Sequence, residues 1–106
     1  MAEKALNSYT VMIVPDQGKQ YARIAMVCAD GHQLYVEFKD WAGSPPANYW
    51  NANGMYGFAS QPFRMYTHYL DLLRNEKPLK VNFLINRTPP EFIVGTNVEP
   101  VGEEES

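Results

Sequence analysis

Strict two-residue alternation is the feature that most narrows the fold. In Gln33 to Trp41, Leu34, Val36 and Phe38 alternate with Tyr35, Glu37 and Lys39, and in Leu79 to Asn86, Leu79, Val81, Phe83 and Ile85 alternate with Lys80 and Asn82. A strand sends successive side chains to opposite faces, so each run predicts a half-buried β-strand. Three more runs read as strands: the β-branched Ser8 to Val14, Gln20 to Ala29, and Phe92 to Thr96. Pro15-Asp16-Gln17-Gly18-Lys19, Asp30-Gly31-His32 and Arg87-Thr88-Pro89-Pro90-Glu91 supply turn chemistry between them.

One segment changes period. Phe63, Tyr66, Leu70 and Leu73 recur at helical spacing opposite Arg64, His68, Asp71 and Asn75. Ser60 offers an N-cap, Pro62 suits the first turn, and the helix should stop before Pro78. The expected order is β-β-β-α-β-β, an α+β chain. A small five-stranded antiparallel barrel or strongly curved sheet with one helix, OB-like, fits this order; an SH3-like barrel and an open sheet covered by one helix are the alternatives.

With 106 residues, the chain can bury one continuous core. Residues 1–96 are expected to form a single globular domain. Glu99, Glu103, Glu104 and Glu105 crowd into the last eight residues, so 97–106 is expected to be an acidic, flexible tail. Without those four acids the body holds nine Lys+Arg against eight Asp+Glu, too balanced for the broad basic field of a duplex DNA binder. Met1 to Ser8 contains Glu3 and Lys4 and no apolar run of signal-peptide length, and no stretch has the apolar length to span a bilayer. Cys28, the single cysteine, lies in the apolar run Ile24 to Cys28 and reads as a small buried hydrophobe. The expected location is cytoplasmic.

Catalytic signatures are missing. Gly18-Lys19-Gln20 lies between strands and lacks the hydroxyl that follows the lysine of a phosphate loop. His32 and His68 are the only histidines, read as a turn residue and a solvated helix residue; with a single cysteine they make no ordinary zinc ligand set. Ser44 stands before Pro45 rather than at a nucleophile elbow, and Asp16, Asp30, Asp40 and Asp71 each have a structural explanation as turn, strand-end or helix-surface residues. No enzyme activity and no cofactor are expected, which leaves binding.

The hairpin between the second and third strands indicates where binding would occur. A two-residue Asp30-Gly31 loop would bury Arg23 and expose Ile24 and Met26. Burying an unpaired guanidinium costs several kcal/mol against about 1 kcal/mol of turn preference, so a three-residue loop or a bulge is expected. Ile24, Met26 and Cys28 then point inward. In the expected register Val27 lies opposite Tyr35, Arg23 opposite Lys39 and Tyr21 opposite Trp41, with Glu37 diagonal to Arg23 as a local neutraliser.

That outer strip suggests single-stranded nucleic acid, DNA or RNA. Bases would stack on Tyr21, Tyr35 and Trp41, Arg23 and Lys39 would hold phosphates, and Lys19 and Arg87 would stand at the rims of the barrel. The acidic tail would compete for the strip, recruit other proteins or simply solubilise the chain. Ala42 to Ser60 is long, rich in Gly, Pro and Asn, and carries Tyr49, Trp50, Tyr56 and Phe58. These rings either pack over the core or anchor a protein partner, a second copy of the chain included. Barrel order, aromatic strip and acidic end together resemble the small single-strand-binding proteins, although Glu103-Glu104-Glu105-Ser106 lacks the terminal hydrophobic residue of the bacterial members.

Overall fold

The computed structural model describes residues 3–13, 21–41 and 43–96. The expected Pro15 to Lys19 turn, Lys19 itself and the acidic tail 97–106 lie outside the described residues. Seven strands form one mixed sheet: β1 (Glu3–Ile13), β2 (Tyr21–Cys28), β3 (Gln33–Lys39), β4 (Tyr49–Asn51), β5 (Tyr56–Pro62), β6 (Leu79–Leu84) and β7 (Glu91–Thr96). Their order across the sheet is β4-β5-β3-β2-β1-β6-β7, and β3 and β5 alone run parallel. A 3-10 turn (Phe63–Met65) leads into α1 (Tyr66–Asn75), the one α-helix among the described residues. The architecture is therefore α+β, a curled half-barrel of mixed sheet with one helix.

Two strands were missed, and both come from the supposed loop. Residues 49–62 form a hairpin, β4 against β5, and β5 then adds to β3 in parallel from Gln33 opposite Tyr56 to Lys39 opposite Pro62. The five-stranded antiparallel sheet is corrected to seven mixed strands, because backbone pairing with β3 stabilises a glycine-containing segment of weak strand propensity. Ser60, expected as the helix N-cap, instead pairs with Glu37 inside β5, and Pro62 precedes the 3-10 turn. The helix does end before Pro78, at Asn75.

β1 joins the two parts of the sheet. Its residues Glu3, Lys4 and Ala5 pair with Asn82, Val81 and Lys80 of β6, whereas Leu6 to Ile13 pair with β2, and the register shifts between Leu6 and Ser8. An extra residue there bends the strand and raises its twist. β5 and β7 come into contact, and at Gly57 of β5 an added Cβ would lie 2.5 Å from the Phe92 ring of β7. Glycine is what that contact between β5 and β7 permits.

Alternation sorts the core cleanly. Ala22, Ile24, Met26 and Cys28 of β2 and Leu34, Val36 and Phe38 of β3 are buried, together with Ala59, Val81 and Phe83. Leu70 and Leu73 close the core from α1. Tyr66 and Tyr69 bring their rings to within 5.5 and 4.9 Å of Phe38. Each large side chain so buried contributes about 1.5 to 3 kcal/mol. His68 stays on the exposed side of the helix, as expected.

Candidate nucleic-acid interface

The β2–β3 loop has three residues. Cys28 N–H donates to His32 O at 2.8 Å, enclosing Ala29, Asp30 and Gly31, and Gly31 takes φ +93°. Only glycine adopts that conformation without strain. The loop length and inward facing of Ile24, Met26 and Cys28 follow the expectation, but the partners are displaced by two residues. Arg23 faces Glu37, not Lys39; Tyr21 faces Lys39, not Trp41; Val27 faces Gln33, not Tyr35. Closing a three-residue loop at Cys28 and His32 requires that register, which replaces an opposed like-charge pair with an ion pair.

Arg23 Nη2 lies 2.6 Å from Glu37 Oε2, with the arginine side chain 37% exposed and the glutamate 13%. Tyr21 donates its hydroxyl to the same Glu37 oxygen, and Arg23 Nη2 reaches the Tyr21 hydroxyl at 3.4 Å. Burial, and then the Glu37 carboxylate, push the Tyr21 phenol above its ordinary range, while Glu37 raises the Arg23 guanidinium further. Arg23 Nε and Ser60 Oγ are buried and make no hydrogen bond among the described residues. Across the ladders Glu37 pairs with Arg23 of β2 on one side and with Ser60 of β5 on the other.

Two aromatic clusters border this charged centre. On one side Lys39 Nζ sits 5.4 Å from the Tyr21 ring centroid and 5.5 Å from that of Trp41, whose indole N–H donates to Gln61 O at 3.0 Å. On the other, Tyr35 meets Tyr56 edge-on at 5.5 Å, Tyr56 meets Tyr49 at 6.1 Å, and Tyr49 stacks on Phe58 at 5.6 Å. Tyr21, Arg23, Tyr35, Lys39 and Trp41 are thus gathered at one surface, and Tyr49, Tyr56 and Phe58 extend it across β5 and β4. No family model, no curated protein and no solved structure matches this chain.

Arg87 sits in the β6–β7 turn, where it engages Glu91 at 3.0 Å and, among the described residues, makes no ion pair with the strip. Trp50 separates from its loop neighbours. Strand alternation turns it to the inner face, where it stacks on His32 at 5.7 Å and meets Phe83 edge-on at 5.6 Å. It is therefore removed from the group of exposed partner anchors that its composition suggested. His32 is correspondingly more than a turn residue, since its ring is buried and its Nδ1 lies 3.0 Å from Asp30 Oδ2. The period of β4 and β5 carried this sorting, but it was hidden in a segment without an obvious strand boundary.

Among the described residues, no three His, Cys, Asp or Glu side chains are grouped to hold a metal ion. No helix among them is long and apolar enough to cross a membrane.

Proposed function

We propose that the chain is a non-enzymatic binder of single-stranded nucleic acid and that the ligand crosses the outer face of β2, β3, β5 and β4. The observation that carries this reading is the placement of Lys39 over the rings of Tyr21 and Trp41, beside the Tyr35, Tyr56, Tyr49 and Phe58 patch. Flat rings accept any base by stacking, at about 1 to 3 kcal/mol each, while a few cations suffice for the phosphates. This use of an open sheet face is OB-like. Glu37 tempers the positive charge, so Arg23 reaches a phosphate only in competition with its own partner. The Arg23 side chain is 37% exposed, so part of its guanidinium stands open to a phosphate oxygen. A reducing, cytoplasmic setting suits the buried thiol of Cys28.

Fluorescence titration with oligonucleotides at stepped salt concentrations tests the proposal. Quenching is expected at low salt, fading steeply as salt rises. Tyr21→Ala, Trp41→Ala and Lys39→Ala should each weaken it, and absence of quenching at low salt, with the tail present and deleted, rejects the reading.

A protein-binding role is the second reading, favoured by the 46% exposure of Tyr49 and 39% exposure of Met55 at the β4–β5 hairpin. Aromatic and Met side chains at low net charge suit an interface core. Association through this hairpin would respond to Tyr49→Ala and hardly to salt.

A further inference from the structure

From the open edge of β1 we infer that the chain pairs with a second copy of itself, β1 against β1 in antiparallel sense about a two-fold axis at Val11. Although β1 is fifth of seven in the sheet order, β6 pairs with its residues 3–5 only. Among the described residues, no strand pairs with Ser8 to Ile13 on the side away from β2. The helix ends at Asn75 without closing the gap, and a cavity of about 760 Å³, lined in part by Leu6, Tyr9, Leu73 and Pro78, opens beside the start of this edge. Met12 and Ile13 are 48% and 66% exposed.

An open edge presents unpaired N–H and C=O groups to any extended chain, and proteins blunt such edges with charge or brevity. The outermost strands do so: β4 has three residues, and β7 begins with Glu91. Ala5 to Ile13 has no charged residue at all. A like-with-like pairing therefore meets no electrostatic penalty, and the pattern makes it complementary. With the axis at Val11, Val11 faces its own copy, Tyr9 faces Ile13, and Thr10 faces Met12. Aromatic against β-branched and β-branched against β-branched are favourable cross-strand pairs. The pairing is isologous and closes at two copies. It leaves the outer face of β3, β5 and β4 untouched and does not depend on nucleic-acid binding.

Sedimentation equilibrium of the full chain over a dilution series tests the inference. The native chain is expected to reach a dimer as concentration rises. Thr10→Lys with Met12→Lys, both at exposed positions, sets lysine opposite lysine twice and should raise the dissociation constant about tenfold or more, with circular dichroism and urea unfolding confirming a native fold. Val11→Cys should give a disulfide-linked dimer on mild oxidation, whereas the native chain, with Cys28 buried, should not. A native chain that remains monomeric throughout, or a dimer that the paired lysines leave unchanged, overturns the inference. A dimer sensitive to the lysines but not linked through position 11 overturns the axis.

Discussion

Arg23 and Glu37 face one another across the β2–β3 ladder, with Nη2 2.6 Å from Oε2. The pair holds a guanidinium at the centre of an aromatic face while cancelling its charge. Replacing Glu37 with Gln removes the anion and keeps the shape. Affinity for a single-stranded oligonucleotide should then rise about three- to tenfold at low salt, with a steeper salt dependence. The same change should lower the alkaline titration of Tyr21, which Glu37 helps to raise, by an amount readable in the tyrosinate absorbance. Unchanged affinity would place any ligand elsewhere.

That pair also shows how far sequence reasoning reached. The alternation of Leu34, Val36 and Phe38 and the cost of burying Arg23 were enough to assign the faces of β2 and β3, because a face depends only on odd or even position. Opposed pairs depend on loop closure, and a two-residue displacement keeps every face while exchanging every partner. Glu37 was thus recognised as a neutraliser, but on the diagonal rather than directly opposite. The helix was legible from its period; its start was not, because Ser60 as a cap and Ser60 as a strand residue look alike until β3 offers a ladder. β5 was hidden for a similar reason, since its ladder with β3 joins residues 23 apart in sequence, and the short β4 is paired only through β5.

Gly57 should be intolerant of any side chain. A methyl there would meet the Phe92 ring at 2.5 Å, so the ring would have to shift to admit it. Gly57→Ala is expected to cost about 1 to 3 kcal/mol in urea unfolding. A double change with Phe92→Leu should recover part of that loss, because the clash and not the backbone is its cause.

Trp50 belongs to the inner stack with His32 and Phe83, so Trp50→Ala should destabilise the fold rather than merely weaken an interface. The ring is only partly buried, and a loss of about 2 to 3 kcal/mol is expected, below the range for fully enclosed aromatics. Tyr49→Ala, one residue away on the opposite face, should cost less than half as much. Equal effects in thermal unfolding would contradict the alternation of β4.

Asp30 gives the chain a defined acid response. Lys4 Nζ at 3.0 Å, the His32 backbone N–H at 3.1 Å and the His32 ring hold the carboxyl down to about 2. The ordinary value is near 4, so the folded state binds fewer protons than the unfolded chain between these limits. Its stabilising contribution is complete above about pH 4 and declines as pH falls toward 2. Asp30→Asn should therefore lower stability at neutral pH, and the gap between variant and native chain should narrow through that window in urea unfolding. A gap that stays constant from pH 5 to pH 2 would mean that the Asp30 carboxylate is not held in the folded state by Lys4 and His32.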